Sequence, residues 1–150
     1  MNVRTMLLLA VVAGCAMTAL RSGERPAAAA SNGAALYDEK CAMCHEVSGK
    51  GTPPAFPPLA GNPHVMATDP KPLVVEVLEG MPEEDITVGG THYGGGMPAW
   101  GNWLSDDEVA SIVTYIRNAW GNSGSAVTAA QVARLRKQPA PQRESRSRVR

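Results

Sequence analysis

The stretch CAMCHEVSGKG (Cys41–Gly51) contains two cysteines spaced as Cys-x-x-Cys, with a histidine directly after them. Thiols and an imidazole this close together can hold zinc, form a redox dithiol, or attach a haem through its vinyl groups. Each possibility needs further residues of a particular kind elsewhere in the chain, and those residues decide between them.

The haem interpretation is the one that uses all three residues. Zinc needs two more ligands, and beside His45 the chain has only His64 and His92, with no second closely spaced couple. A redox dithiol belongs in a βαβ pattern, which this chain lacks, and a disulfide between Cys41 and Cys44 gives the histidine no role. Haem attachment makes two thioethers from the thiols and an axial ligand from the imidazole. The stretch therefore predicts a covalently bound haem with His45 on its iron.

A second axial ligand has to come from elsewhere, and the candidates are Met43, Met66, Met81, Met97, His64 and His92. Met43 lies between the two cysteines and cannot reach the opposite face of the ring. An isolated methionine is more often a core residue than a ligand. Met97, however, follows a run of glycines and precedes Pro98, Ala99 and Trp100, and this tryptophan can pack on the ring. Met81 lies in the same Gly-Met-Pro context, but three carboxylates follow closely, and these are costly beside a buried haem face. Met97 is the predicted ligand.

In the order and spacing of its motifs, the chain from Ser31 to about Gly121 resembles the small class I bacterial cytochromes c. Three features carry the resemblance: Gly33 and Tyr37 ahead of the cysteines, Pro57-x-Leu59-x-Gly61 after His45, and Met97-Pro98 before LSDDEV. The resemblance implies an all-α, small class I cytochrome c fold, with short helices and ordered loops around one covalently bound haem.

The resemblance also implies roles for individual residues. The Pro57 carbonyl would accept a hydrogen bond from His45 Nδ1–H and so orient the imidazole. Leu59 and Trp100 would line the haem site, although the family pattern leads us to expect Phe or a similar aromatic residue at position 100. Gly33 and Tyr37 would pack across the last helix, against Ile112 and Tyr115.

The nearest likeness is to monohaem cytochrome subunits or domains that serve periplasmic dehydrogenases. It implies an electron carrier that is not itself an enzyme, taking electrons from a dehydrogenase and passing them to another cytochrome or a terminal oxidase of a respiratory chain. The alternative is a haem sensor or peroxidase-like subunit with an exchangeable sixth ligand. A nucleic-acid partner is not expected, because the basic residues lack interleaved aromatics.

Local patterns predict helices over 33–40, 69–80 and 105–121. The last has the clearest signals: Ser105 and Glu108 predict a capping box, and apolar residues recur on one helical face. Residues 52–64 and 81–98 are predicted to be loops, and no strand is predicted. Trp103 and Trp120 are expected in the core. An aromatic content of 5% suits a small helical protein.

The C-terminal end of the chain differs in charge from its middle. Residues 31–120 carry four Lys or Arg against twelve Asp or Glu, a net charge of −8, whereas residues 121–150 carry seven against one, a net charge of +6. We expect a cytochrome domain over 31–121 and a basic, largely disordered tail over 122–150, with a possible short helix over 128–138. Two interpretations of the acidic domain stay open: it associates with a basic partner surface, or its carboxylates simply keep the domain soluble.

Residues 1–30 are expected to direct export to the periplasm. Arg4 precedes the apolar run Met6–Leu20, which is short for a membrane span but suits a signal sequence. Three outcomes remain open: lipid attachment at Cys15, cleavage after the alanines 27–30, or an uncleaved membrane anchor.

Overall fold

The structure is a computed structural model that describes residues 26–83 and 86–138. Within these ranges the elements are α1 (Pro26–Lys40), α2 (Ala42–His45), α3 (Lys71–Glu79), β1 (Ile86–Val88), β2 (Thr91–Tyr93), α4 (Asp106–Ile116) and α5 (Ala129–Arg136). The prediction of a mainly helical fold is confirmed. The first helix begins earlier than expected, at Pro26, so the alanines 27–30 lie within it. In the described part of the chain, no helix has the length and apolar character to cross a membrane.

The first and fourth helices cross in close contact, as the resemblance implied. A side chain at Gly33 would overlap the backbone of α4 and come within 2.9 Å of Tyr115 Cβ. Tyr37 and Ile112 are fully buried. The Tyr37 ring lies 5.5 Å from that of Tyr115 and 5.0 Å from that of Trp120, centroid to centroid. This aromatic group joins α1 to the segment just after α4.

The predicted capping box begins α4 and is confirmed. The Ser105 hydroxyl accepts a hydrogen bond from Glu108 N–H at 3.3 Å, and the Glu108 carboxylate accepts one from Ser105 N–H at 2.8 Å. The predicted apolar face of the helix is buried, and it packs against α3. The buried side chains of the two helices include Val109, Ile112, Val113 and Ile116 from α4 and Leu73, Val74, Val77 and Leu78 from α3.

The helix predicted over 69–80 is present, but it begins slightly later. Pro70 occupies the N-cap position, while Asp69 Oδ1 accepts a hydrogen bond from Lys71 N–H at 2.9 Å. At the other end, Gly80 N–H donates to the Glu76 carbonyl at 2.8 Å, and Gly80 then takes φ +71° and ψ −176°. The expected stop at this glycine is therefore observed.

The prediction that residues 81–98 form only a loop is wrong. β1 and β2 pair antiparallel, with Ile86 opposite Tyr93 and Val88 opposite Thr91. The two residues between the strands, Gly89 and Gly90, have φ +58° and +83°. A tight hairpin turn that follows the twist of its strands needs positive φ at both positions, which glycine adopts easily.

The expected domain boundary at residue 121 falls inside the folded body. Beyond it, Val127 and Val132 are buried, and α5 packs against both α3 and α4. A capping box formed by Thr128 and Gln131 begins α5. The possible short helix is thus present, and residues 122–138 belong to the domain; the rest of the expected tail, 139–150, lies outside the described residues.

Arg117 ties this C-terminal part to the rest of the core. Its side chain is 1% exposed. Its guanidinium donates to the carbonyls of Val65 at 2.6 Å, Ala67 at 3.0 Å and Ser125 at 2.8 Å. Burial lowers the pKa of Arg117, and the Asp69 carboxylate opposes that shift.

Candidate haem site

A single helical turn carries the Cys-x-x-Cys-His residues. Cys41 N–H donates to the Tyr37 carbonyl at 2.8 Å, so α2 follows α1 almost without interruption. The N–H groups of Cys44 and His45 both reach the Cys41 carbonyl, at 3.2 and 3.0 Å. Residues three apart on a helix are neighbours, so the two cysteines share one side of the turn. Both are half-buried and free of disulfide bonds. Burial, and secondly Cys44, raises the pKa of the free Cys41 thiol to about 11.

The imidazole of His45 is oriented by one backbone group. Its Nδ1 lies 3.0 Å from the Pro57 carbonyl oxygen. A carbonyl can only accept a hydrogen bond, so Nδ1 carries the proton and Nε2 keeps its lone pair for a metal. Burial lowers the pKa of His45, while the Pro57 carbonyl acts in the opposite direction. The ring is therefore held as a neutral ligand with Nε2 available.

The loop after His45 is fixed from two sides. Glu46 has φ +59°, and its carbonyl accepts a hydrogen bond from the Tyr37 hydroxyl at 2.6 Å. The Val47 carbonyl accepts one from the Trp120 indole N–H at 2.9 Å. Leu59, further along, is buried in the core. Two aromatic side chains of the α1–α4 contact thus set the path of the chain away from the cysteines.

Met97 lies on a second segment that is hydrogen-bonded to the end of α3. Its N–H donates to the Met81 carbonyl at 2.8 Å, and Met81 N–H donates to the Met97 carbonyl at 2.9 Å. Further on, Trp100 N–H reaches the Val77 carbonyl at 3.0 Å. Met97 and Trp100 are half-buried and pack against the same core cluster as Cys41.

These two segments meet at a backbone contact. Gly94 N–H donates to the Pro54 carbonyl at 3.2 Å, and Gly95 N–H donates to the Ala55 carbonyl at 2.8 Å. The chain that leads into Met97 is therefore bonded directly to the chain that leads into Pro57. The contact limits how far the segments on the His45 side and the Met97 side can separate.

The residues fit a haem c. Two thiols on one side of a helical turn suit thioether attachment, and the adjacent imidazole presents Nε2 with its other nitrogen already bonded. The predicted lining residues all contact one core cluster, in which Leu59 is buried and against which Met97 and Trp100 are half-buried. Cys41 and Cys44 would hold the porphyrin covalently, and His45 would bind the iron.

One residue that supports this site, Asn122, was not predicted from the sequence. Asn122 is buried; its amide donates to the Leu59 carbonyl at 3.0 Å and to the Ile116 carbonyl at 2.8 Å, and its Oδ1 accepts from Gly61 N–H at 2.8 Å. Its position after Gly121, where a helix is expected to have ended, was the available signal.

The expectation that Trp103 lies in the core is wrong. Trp103 is 80% exposed, whereas its neighbour Leu104 is buried. Both N–H groups bond to the Trp100 carbonyl, so the turn directs one side chain inward and the other outward. Trp120 is half-buried within the aromatic group.

Comparison with known proteins shows the family of the chain. Residues 30–120 match the family described as Cytochrome c. Cytochrome c-552 of Thermus thermophilus is 36% identical over 118 residues, which cover 73% of this chain and 78% of that protein.

Two other relatives are subunits of larger assemblies. The cytochrome c subunit of a quinone alcohol dehydrogenase from Gluconacetobacter polyoxogenes is 38% identical over 112 residues, covering 73% of this chain and 23% of the relative. The gluconate 2-dehydrogenase cytochrome c subunit of Pantoea cypripedii is 38% identical over 107 residues, covering 70% of this chain and 24% of the relative. The chain thus spans about a quarter of the length of these dehydrogenase subunits. From the family match, the helical fold and the Cys-x-x-Cys-His turn together, the chain belongs to the cytochrome c family and is an electron-transfer protein with one covalently bound haem c.

Proposed function

We propose that the protein is an exported one-electron carrier whose haem iron is bound by His45 and Met97. In this proposal it accepts electrons from a dehydrogenase in the periplasm and passes them to another cytochrome or a terminal oxidase. The observation that carries the proposal is the pairing of an oriented imidazole, His45 bonded to the Pro57 carbonyl, with a half-buried thioether on a separate, bonded segment.

The bound haem supplies reversible one-electron exchange at its iron. The chain's own residues then determine what else the site can do. His45 and Met97 would fill both axial positions, which leaves no place for a substrate or for oxygen. Methionine as the second ligand raises the reduction potential relative to a second imidazole. The Pro57 carbonyl keeps the imidazole in one orientation, so little rearrangement would accompany electron transfer.

The proposed partners rest on the relatives' names and on the surface of this chain. The relatives include cytochrome subunits of an alcohol and a gluconate dehydrogenase and a subunit of a cbb3-type oxidase. Met43 and Val47, on either side of Cys44 and His45, are 90% and 65% exposed. Exposed apolar side chains beside the covalent attachment point suit brief contact with a redox partner. The acidic middle of the chain would favour a basic partner surface, with an association rate that falls as salt rises.

Export is proposed from residues 1–25, which lie outside the described part of the chain. Mass spectrometry of the mature protein separates the three routes. Lipid on Cys15 adds acyl mass, cleavage removes the apolar run, and an anchor leaves the chain intact in the membrane fraction. Recovery of the haem-loaded protein from the cytoplasm would contradict the proposal.

The proposed ligation is tested by the spectrum of the oxidised protein. We expect a near-infrared sulfur-to-iron charge-transfer band that Met97→Leu removes or moves, and slow binding of carbon monoxide by the reduced native protein. A band that is unchanged in Met97→Leu would contradict the assignment. Rapid carbon monoxide binding by the native protein would favour the sensor or peroxidase-like alternative.

Purification without an affinity tag tests whether the protein is a free carrier or a fixed subunit. A subunit is expected to co-elute with its dehydrogenase at high salt, because an obligate interface is mainly apolar. A free carrier elutes alone and still accepts electrons from the isolated enzyme.

A further inference from the structure

The tripeptide Gly-Met-Pro occurs twice between α3 and α4, as residues 80–82 and 96–98. The structure brings the two copies together. Met81 and Met97 face each other in an antiparallel bridge and exchange both backbone hydrogen bonds, at 2.9 and 2.8 Å. The second copy carries the proposed axial ligand, so the first copy places another thioether directly opposite it.

Bridge geometry fixes the relative direction of the two side chains. In an antiparallel pair that exchanges both hydrogen bonds, the Cα atoms lie about 5.5 Å apart, and the two side chains leave the same face of the pair. Both methionines are half-buried. If Met97 is the axial ligand, the face that directs it toward the haem therefore directs Met81 toward the haem as well.

In the sequence, the run of carboxylates after Met81 favours Met97 over Met81 as the ligand. In the structure, Pro82 and Glu83 are exposed, and Glu83 lies beside Gly96. The Glu83 side chain is therefore at the surface rather than buried at the site, while Glu84 and Asp85 lie outside the described residues. What distinguishes the two methionines is packing, because Met97 contacts the core cluster and is followed by the anchored Trp100.

We propose that Met81 is a reserve axial ligand, whose sulfur takes the sixth position on the haem iron when that of Met97 is displaced. This inference rests on the proposed ligation by His45 and Met97. A methionine side chain is unbranched and has three rotatable bonds, so its sulfur can adapt to an off-centre position. In the exchange, one iron–sulfur bond breaks and an equivalent one forms, with no change in oxidation state and no proton transfer.

The test compares haem-loaded native protein with Met81→Leu, Met97→Leu and the double variant. Leucine is close to methionine in volume, so each change removes the sulfur with little repacking. We expect Met81→Leu to keep the native charge-transfer band, and Met97→Leu to show a weaker or shifted band. The double variant should lack the band and bind carbon monoxide rapidly. A matched control, Met66→Leu with Met97→Leu, removes another half-buried methionine and should behave like Met97→Leu alone.

Imidazole binding to the oxidised protein gives a second readout. Imidazole binds only to iron whose sixth position is open. If Met81 occupies that position in at least half of the Met97→Leu molecules, the double variant binds imidazole at least about twofold more tightly than Met97→Leu. Met97→Ala, and the double variant that combines Met97→Ala with Met81→Leu, are measured in parallel, because alanine leaves space at position 97 that leucine fills. This second pair decides the question if the leucine variants fail to fold or attach haem.

The outcomes separate the reserve role from the ligation on which it rests. Each Met97 variant is compared with the double variant that also carries Met81→Leu. If the two have the same spectrum and the same imidazole affinity, the reserve role of Met81 is overturned, while ligation by His45 and Met97 stands. Loss of the native band in Met81→Leu, with an unchanged band in Met97→Leu, would show that Met81 is the native ligand. That result would overturn both proposals.

Discussion

Replacement of Gly80 by alanine is expected to disturb the Met97 segment directly. A Cβ at this position would overlap the Met97 carbonyl oxygen and come within 2.7 Å of Ala99 N and 2.8 Å of the Pro98 carbonyl carbon. All three are backbone atoms, which cannot move aside as the end of a side chain can. The segment that carries the proposed ligand would have to shift.

Two effects determine how much Gly80→Ala lowers the free energy of unfolding. Gly80 lies at φ +71° and ψ −176°, a region adopted almost only by glycine. Forcing another residue there costs about 1–3 kcal/mol, and overpacking a close contact costs about 1–3 kcal/mol more. The free energy of unfolding should therefore fall by about 2–6 kcal/mol, and the Tm by at least about 4 °C for a chain of this size.

Gly89→Ala is the control, because Gly89 also has positive φ, +58°, but a Cβ there would meet nothing within 4 Å. It should show only the cost of the left-handed backbone, about 1–2 kcal/mol. Thermal unfolding of both holo proteins is followed by circular dichroism, and the charge-transfer band is recorded at 25 °C. Equal losses in Tm, together with a native band in Gly80→Ala, would refute the reasoning.

Three further predictions concern contacts around the site. Tyr37→Phe should lower the free energy of unfolding by about 0.5–1.5 kcal/mol through loss of the hydroxyl bond to the carbonyl after His45, as measured by urea unfolding; an unchanged urea midpoint would contradict this. Arg136→Gln, which removes the guanidinium contacts to the carbonyls of Gly101 and Leu104, should speed amide hydrogen exchange in α5, whereas the exposed Arg134→Gln should not. The hydrogen bond to Glu76 raises the pKa of His64, so this pair stabilises the fold fully below pH about 6.5 and loses its effect as pH rises through the higher folded value. The difference in free energy of unfolding between the native protein and Glu76→Gln should therefore shrink from pH 6 to pH 8. A difference that grows over this range would contradict the His64–Glu76 pairing.

Local signals predicted the parts of the fold in which local chemistry decides the structure. The capping box of Ser105 and Glu108 and the apolar face behind it depend only on residues within a few turns, and both are present as expected. The stop at Gly80 is of the same kind. The Cys41–His45 stretch predicted haem attachment because few other chemistries need those three residues at that spacing.

The parts that were missed depend on contacts between distant segments. Each strand of the hairpin has only three residues, too few for an alternating pattern to stand out, although Gly89-Gly90 was a usable turn signal. The helix α5 itself was expected as a possible short helix, but its place in the domain was missed, because its apolar face is weak, with one buried residue, Val132, and only packing against α3 and α4 shows that it belongs to the folded body. The pairing of Met81 with Met97 joins residues sixteen positions apart, and nothing local to either methionine indicates it.

The guanidinium of Arg117 determines where this chain can be shortened without loss of a buried contact. Two of its bonds go to Ser125, beyond the point where the last helix of the predicted domain ends. A chain cut at residue 121 would remove the Ser125 acceptors of Arg117 Nε and Nη2 while the bonds to Val65 and Ala67 remain, and each lost bond to a charged group costs about 1.5–3 kcal/mol. A domain of this kind should therefore be grafted into a longer protein with the chain through Ser125, and the packing of α5 against α3 and α4 extends this requirement to the C-terminal helix. We expect a fusion joined after Arg136 to keep its haem at temperatures where one joined at residue 121 loses it.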